Sequence, residues 1–500
     1  MQGTMYSDKD SSGHSSSRVV SGDNTNVKDE DAFAPATSWL GTVEERRLVR
    51  KLDMRIMPLT CILYLFAFLD RTNIGNARLQ GLPEDTLHGD PAGTLFDWVT
   101  SAFFFSYILC QIPATVISKL FPPRVWLGCA IIGWGLSSTL MSTAFNFQVY
   151  SSLESSWASS KQASAPLFLY TTVSILVLHS LAFDRLVYAD PIIRCKAFWY
   201  TKHEMGTRMA YWFGFSAVSG AFGGLIAFGI QHAHAAISNW RLLFIVEGVP
   251  TVLLGFLTLW LLPDRPEETS TFETGRCKEA CLRCVRDWRI YVAGIIQFGA
   301  NCSLVSILAF LPTIIKTFGV SNAKAQLLTV PPYAVSAAVL IILSYFSDRF
   351  QSRGIPLSCA ASIGAIGYLL LLTVHENQHV RYFAVFCITS GTYTFIGILI
   401  AWTAHNFGSE TKKATGLPMY MSIGQCGSVL GSHIFPATEG PRYIKGFAIT
   451  CALEFLAAIC GIILTISYRI ENKRRDKKHG RPDPDATVDT TELADKAPMF

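Results

Sequence analysis

Residues 57–77 read MPLTCILYLFAFLDRTNIGNA, a run long enough to cross a bilayer as one helix. The run is almost entirely apolar as far as Leu69, and Asp70 and Arg71 then stand side by side. On insertion scales a charge near the centre of a membrane helix costs roughly 2.5–3.5 kcal/mol, so such residues usually face a water-filled cavity, a partner charge or a ligand. The stretch therefore predicts a membrane helix that carries a polar functional site.

The composition extends this prediction to the whole chain. Of the 500 residues, 50% are hydrophobic and only 16% are charged, which is too apolar for an ordinary soluble protein. The formal net charge is +5 and the basic residues are scattered, so nucleic acid is not an expected partner. The 13 cysteines lie mostly in apolar segments and give no disulfide framework. A polytopic membrane protein is predicted.

Windows of about 20 residues predict twelve membrane helices. They lie near residues 57–77, 96–118, 124–144, 165–184, 209–231, 241–262, 289–312, 325–346, 355–373, 380–401, 415–435 and 446–469. Lysine and arginine are concentrated in the loops after the even-numbered helices and in the segment before the first helix. By the positive-inside rule, both termini are expected in the cytosol.

The fold class predicted is an all-α membrane protein with two six-helix bundles. The polar connection at residues 263–288 is the expected cytosolic linker, which separates bundles at 44–262 and 289–470. Residues 1–43 and 471–500 are polar and are predicted to form a disordered N-terminal tail and a C-terminal tail.

Five stretches carry a resemblance to a known family. They read FLDRTNIGNA at 68–77, GAFGG at 220–224, WRLLFIVEG at 240–248, FLPTII at 310–315 and AQLLTVPPY at 325–333. In this order they resemble the fungal allantoate permease branch of the major facilitator superfamily, over about residues 44–475, and the branch is similar to the wider group of anion:cation symporters. The resemblance implies that small organic anions, such as allantoate, nicotinate or pantothenate, are imported with protons by alternating access.

The adjacent charges suit that chemistry. A guanidinium offers a planar pair of donors to a carboxylate, so Arg71 is predicted to bind the anion. Asp70 lies about 100° around the helix from Arg71, and a partly desolvated carboxylate can bind and release a proton, so Asp70 is predicted to couple protons. The alternative is that the two charges form a structural pair that fixes the helix against a neighbour.

Other polar groups are weaker candidates for the anion site. Tyr107 and Gln111 lie one turn apart on the second predicted helix, and the resemblance places a carboxylate-binding tyrosine at a similar position. Asn301, on the seventh, is predicted to contribute from the second bundle. Further groups that could complete the site are Tyr333, Tyr393, Trp402, His405, Asn406 and Gln425. Packing is the competing explanation for each of them.

Small residues and one loop motif are predicted to serve gating. Gly223 and Gly224 permit close approach between helices, either as sliding surfaces or as static packing. Asp348 and Arg349 resemble the cytosolic loop motif of the superfamily and are interpreted as a gate or latch.

No cofactor, metal site or catalytic group is predicted, and the chain is not expected to be an enzyme. Cys277, Cys281 and Cys284 have the spacing of the cysteines of a radical enzyme's iron–sulfur cluster. That cluster needs an α/β barrel, whereas these cysteines lie in a short basic linker, so the cluster is excluded. Reversible acylation at the membrane surface stays open.

The segment at 153–196 departs from the family pattern. The resemblance calls for an arginine and then a Gly-x-x-Glu-Ala-type stretch on the fourth helix, and the matching glutamate is absent here. In related symporters that acid couples protons. The segment is either diverged or translated noncoding sequence, because family-like residues resume near Phe198.

The sequence thus predicts a proton-coupled importer of a small organic anion, spanning the plasma membrane several times. Two alternatives remain open at this stage. One is a non-transporting relic or nutrient sensor, favoured by the missing glutamate. The other is an exporter of an anionic metabolite.

Overall fold

The computed structural model describes residues 43–87, 90, 93–101, 104, 105, 108, 122–143, 202–233, 235–262, 286–350, 352–406 and 410–479. Within these ranges the chain is helical and contains no strand. In chain order the helices are α1 (Val43–Leu79), α2 (Leu82–Thr86), α3 (94–101), α4 (Pro123–Met141), α5 (Lys202–Gln231), α6 (Asn239–Leu261), α7 (Trp288–Lys316), α8 (Asn322–Leu327), α9 (Val330–Arg349), α10 (Gly354–Thr373), α11 (Gln378–Asn406), α12 (Glu410–His433) and α13 (Ile444–His479).

The predicted all-α membrane fold is confirmed. In the described part of the chain, seven helices are long and apolar enough to cross a bilayer: α5, α6, α7, α8 with α9, α10, α11 and α13. Helices also occur at the first and third predicted spans, as α1 and α4, and at the eleventh, as α12. The predicted fourth helix, 165–184, lies outside the described residues, as does most of the second and of the linker.

Two helices extend beyond their predicted ends into charged sequence. Helix α1 begins at Val43 and α13 continues to His479, so the basic flank and the start of the predicted C-terminal tail are helical. Within α13, Arg475 Nε lies 3.4 Å from the Glu471 carboxylate one turn earlier. Such i,i+4 pairs favour a helix even where the apolar pattern has ended.

The helices differ in how much of their surface faces other helices. In α7, 89% of the most apolar 18-residue segment is buried against other helices, compared with 39% of the corresponding segment in α6. Helix α6 exposes Leu253, Phe256 and Trp260, and Trp260 is 80% exposed. Their spacing places them on one helix face, which is the face expected to contact lipid tails.

Glycines bring α4 and α6 unusually close. Gly128 and Gly135 on α4 are seven residues apart, as are Gly248 and Gly255 on α6, and the pairs meet in antiparallel order. A Cβ atom on Gly135 would lie 3.0 Å from the Gly248 carbonyl oxygen. Backbones can approach this closely only where no side chain intervenes. The contact fixes the relative positions of the polar residues next to these glycines.

The helices before and after the linker meet where α1 ends. A Cβ atom on Gly75 would lie 2.5 Å from the Leu308 carbonyl oxygen of α7, and Asn322 Nδ2 donates to the Leu79 carbonyl at 3.1 Å. Ser432 of α12 also lies 3.2 Å, Oγ to Oγ, from Ser101 of α3. We call this region the joined end, defined by Gly75, Arg78, Leu79, Phe96, Asp97, Ser101, Leu308, Phe310, Asn322 and Ser432.

Candidate functional site

Asp70 is half-buried and is hydrogen-bonded to α4. Its Oδ1 atom accepts a hydrogen bond of 2.8 Å from Ser138 Oγ, and Trp134, one turn earlier on α4, also hydrogen-bonds the carboxylate. Ser138 follows Gly135 by three residues, so the glycine contact of α4 with α6 determines where this hydroxyl lies. The predicted proton-coupling residue is therefore anchored at one oxygen.

A second carboxylate, which sequence reasoning did not assign to the site, lies beside Asp70. Glu247 on α6 is only 1% exposed, and its Oε2 atom accepts a hydrogen bond from Asn73 Nδ2 of α1. Asn73 is fully buried and follows Asp70 by three residues, hence on the same side of α1. The charge of Asp70 acts electrostatically on Glu247, which places the two carboxylates near each other. We call Asp70, Asn73, Ser138 and Glu247 the carboxylate cluster.

The carboxylate cluster contains more acceptors than donors. Asp70 Oδ2, Asn73 Oδ1 and Glu247 Oε1 are buried and receive no hydrogen bond from any residue that the structure describes. Buried polar atoms are ordinarily hydrogen-bonded, and leaving one unpaired costs about 1–3 kcal/mol. Three such oxygens in one cluster indicate a place where a proton or another donor binds.

Arg71 contacts an aromatic ring of its own helix. It is half-buried, and its guanidinium carbon lies 5.8 Å from the ring centroid of Phe68 on the same helix. The side chains of Tyr107 and Gln111, the other N-terminal candidates for anion binding, lie outside the described residues. Their proximity to Arg71 therefore stays a prediction.

The candidates of the second bundle lie in tight packing. Asn301 on α7 is 1% exposed and accepts a 2.9 Å hydrogen bond from Gln297 Nε2. Its amide also faces Gly424 of α12. Tyr333 and Tyr393 are buried edge to face with ring centroids 5.9 Å apart. A substrate could reach these groups only if the helices around them move.

The remaining second-bundle candidates fall in three places. Trp402 packs edge to face against Tyr468 of α13, and the Asn406 side chain donates to the Trp402 carbonyl oxygen. Gln425 is buried on α12 and accepts from Ser428. The side chain of His405 lies outside the described residues.

The two predicted gating glycines face different partners. A Cβ atom on Gly223 would lie 2.6 Å from Thr72 Oγ1 of α1, whereas one on Gly224 would lie 2.5 Å from Thr329 Oγ1, just before α9. Helix α5 therefore packs closely on both sides of the interface between the two sets of helices. Their role in gating stays a prediction.

The predicted loop motif lies at the end of α9. Arg349 is the last residue of that helix and is exposed, while the side chain of Asp348 lies outside the described residues. Arg353, just before α10, donates to the Ala401 carbonyl oxygen at 2.8 Å. This hydrogen bond joins the loop to α11, and a gating role for Asp348 and Arg349 stays a prediction.

The C-terminal helices bury a glutamate too. Glu454 on α13 is fully buried, and its Oε1 atom accepts a 3.0 Å hydrogen bond from Thr392 Oγ1 of α11. Ser303 of α7 lies 3.0 Å from the same hydroxyl, 2.8 Å from Tyr368 OH, and also hydrogen-bonds Glu454. Hydroxyl groups therefore hydrogen-bond this carboxylate, while its Oε2 atom is buried without a donor among the described residues.

Arg78 forms part of the joined end. Its guanidinium lies 4.6 Å from the ring centroid of Phe96 on α3 and 5.1 Å from that of Phe310 on α7, so it is placed between aromatic rings from both sets of helices. Asp97, which is 3% exposed, acts on it electrostatically. A cation between two rings, next to an acid, stabilises this contact.

Comparison with known proteins gives the same fold. The sequence pattern described as Major Facilitator Superfamily matches residues 60–432. The chain is 27% identical to the major facilitator-type transporter hxnP of Emericella nidulans, covering 93% of this chain and 94% of that protein. It is also 27% identical to the high-affinity nicotinic acid transporter of Saccharomyces cerevisiae, covering 91% and 84% respectively.

Solved structures agree with the sequence relatives. The crystal structure of a D-xylose-proton symporter superposes with a TM-score of 0.63 at 15% identity, covering 82% of this chain and 97% of that one. A partially occluded inward-open structure of the xylose transporter XylE from E. coli gives a TM-score of 0.58 at 13% identity, covering 88% and 100%. At these identities the likeness concerns the fold.

Proposed function

Because the chain belongs to the Major Facilitator Superfamily, we propose that it is a membrane transporter whose cargo is a small organic anion and whose import is driven by protons. Membership over residues 60–432 makes the protein an integral membrane transporter and not an enzyme. The anion, the proton coupling and the direction of transport form the proposal.

The observation that carries this proposal is the charged pair inside α1. Asp70 and Arg71 are adjacent within a helix that is otherwise apolar from Leu59 to Leu69, and the two side chains have different surroundings. The guanidinium of Arg71 can bind a carboxylate through two parallel hydrogen bonds, while Asp70 belongs to the carboxylate cluster. One short segment therefore offers an anion-binding and a proton-binding group.

The named relatives support the class of cargo. The yeast relative is named a high-affinity nicotinic acid transporter, and nicotinic acid is a small carboxylic acid that is ionised at neutral pH. Allantoate and pantothenate share that carboxylate, so all three are reasonable first substrates. Tyr107, Gln111 and Asn301 are proposed as further contacts to the anion.

We further propose that the protein works by alternating access between two six-helix bundles. It is proposed to lie in the plasma membrane, with both termini in the cytosol. The contacts at the joined end would separate while the opposite end closes. The close packing of α5 at Gly223 and Gly224 supports two discrete arrangements, because packed glycine contacts tolerate little intermediate displacement.

Uptake measurements test the proposal. Labelled nicotinate, allantoate and pantothenate would be offered at acidic and neutral pH to cells without their own permeases. The wild-type chain, Arg71→Ala and Arg71→Lys would be compared at equal surface expression, with Arg474→Ala on the exposed end of α13 as the matched control.

Acid-stimulated uptake of one of these anions is expected. It should be lost in Arg71→Ala, reduced in Arg71→Lys because an ammonium cannot form the planar pair of hydrogen bonds, and unchanged in Arg474→Ala. If surface-expressed protein takes up none of the three, the import proposal is wrong and the sensor interpretation replaces it. Uptake independent of pH would refute the proton coupling alone.

A further inference from the structure

We propose that Glu247 and Asp70 bind one proton between them, so that Glu247 supplies the second carboxyl group of the coupling site. This inference rests on the proposed proton-driven transport and adds a residue and a protonation state to it. It also gives the site two acids without the glutamate that the segment at 153–196 lacks.

The hydrogen bonds of the cluster leave a place for this proton. Asp70 is hydrogen-bonded by Ser138 and Trp134, and Glu247 accepts a hydrogen bond from Asn73. One oxygen of each carboxylate is left without a donor among the described residues. The buried Asn73 Oδ1 atom is also without a donor there. A proton bound to one carboxyl oxygen creates an O–H group, which can donate to one of these acceptors.

No salt bridge among the described residues involves either acid. The charge of Asp70 acts on Glu247. Helix α4 packs against Gly248, the residue after Glu247, with Gly135 and Thr139, which are uncharged. The described side chains of α5 from 211 to 231 include no Asp, Glu, Lys, Arg or His. Like charges repel strongly where water cannot screen them, and Asp70 Oδ2 and Glu247 Oε1 are both buried from water, so a single shared proton is the favoured occupancy.

Binding needs no further reagent. One O–H bond forms between a proton from water and a carboxyl oxygen, and the same bond breaks when the proton leaves. The pair changes its net charge by one unit in this step. Because Asp70 is adjacent to Arg71, the change occurs one residue away from the proposed anion-binding group.

The amide variants make the proposal testable, because an amide N–H can replace the donor that the proton provides. In Asp70→Asn or Glu247→Gln, the amide donates to the remaining carboxylate, which then stays ionised at neutral pH. Glu454→Gln is the matched control, since Glu454 is as buried as Glu247 and also has one oxygen without a described donor, but its hydrogen-bond partners are hydroxyl groups and no second carboxylate is coupled to it.

The measurement is infrared spectroscopy of the purified full-length chain at neutral pH, which detects the carbonyl band of a protonated carboxylic acid. Asp70→Asn should remove one such band relative to wild type. Glu247→Gln should remove the same band, the double variant should remove no more than either single variant, and Glu454→Gln should leave that band in place.

Three results would overturn the proposal. They are a wild-type band that neither single variant removes, two separate bands lost additively in the double variant, and removal of the same band by Glu454→Gln. A folded chain is required in each case and is checked by gel filtration. Because this readout uses no substrate, it decides the shared proton even if nicotinate, allantoate and pantothenate are not transported. If one is transported, Glu247→Gln should make uptake insensitive to pH.

Discussion

The crossing of α1 and α7 gives the sharpest test of how the joined end works. Gly75 lies where the two helices meet, and a Cβ atom placed there would be 2.5 Å from the Leu308 carbonyl oxygen and 3.0 Å from that of Ala309. Both neighbours are backbone atoms, which cannot rotate away as a side chain can. The substitution Gly75→Ala therefore forces α1 and α7 apart.

The magnitude follows from these distances. Ordinary contact begins at 3.4 Å, so the new methyl group must move by roughly 1 Å. Overpacking of this size costs about 1–3 kcal/mol in the joined arrangement and nothing once the ends separate. That corresponds to a rise of about 5–150-fold in the ratio of separated to joined molecules.

Gly229→Ala is the control, because a Cβ atom there meets nothing within 4 Å. In that helical position alanine is expected to stabilise the chain by about 0.5–1 kcal/mol. Hydrogen–deuterium exchange of the purified proteins would follow peptides that cover residues 93–101 and 432–436. Gly75→Ala should raise exchange there by at least several-fold, whereas Gly229→Ala should not. Equal exchange in both variants would refute the argument that Gly75 sets the joined end.

Two further predictions concern the same end of the helices. Asp85 on α2, outside the membrane spans, accepts hydrogen bonds from Trp240 Nε1 at 2.7 Å and Ser238 Oγ at 2.8 Å, and mainly the indole donor lowers the pKa of its carboxyl. A lowered pKa stabilises the fold above the ordinary value of 3.8, and this contribution is lost as pH falls through the lower folded value. Asp85→Asn should therefore be less stable than wild type at pH 7, by only about 0.5 kcal/mol because the carboxylate is mostly exposed, and the difference should shrink as pH falls below 3.8. Thermal melting across this pH range tests the prediction, and a difference that does not change with pH would contradict it. Arg78→Gln removes the cation between the rings of Phe96 and Phe310. Because such contacts contribute about 0.5–2 kcal/mol, hydrogen–deuterium exchange in residues 93–101 should rise about 2–30-fold. Unchanged exchange would show that the rings alone hold this end.

The helices could be predicted because the bilayer imposes their length and polarity. Counting apolar residues was enough to predict helices at 209–231 and 355–373, and α5 and α10 occur there. The true ends of α1 and α13 could not be predicted in this way, since the helices continue into charged segments where local pairs, and not lipid contact, stabilise them.

The site was predicted only in part, for a physical reason. Asp70 was found because a charge interrupts an apolar run, and the same signal was present at Glu247, an acid within the apolar segment that follows Trp240. That signal identifies a residue but not its neighbours. The hydrogen bond from Asn73 of α1 to Glu247, and the contact of α4 with α6 at Gly135 and Gly248, bring Glu247 to Asp70.

The glycines of α4 and α6 therefore have a consequence beyond packing. A helix pair held at this distance cannot admit a side chain or a chain of waters between its backbones, so the groups next to Gly135 and Gly248 stay dry and fixed. Ser138 and Glu247 are such groups, and together they surround the acid of α1. A proton shared by the two acids, as proposed above, would be held among α1, α4 and α6. Because α1 also crosses α7 at Gly75, the proposed separation of the joined end and the proposed release of this proton would both involve motion of α1, which is the physical requirement for coupling the two.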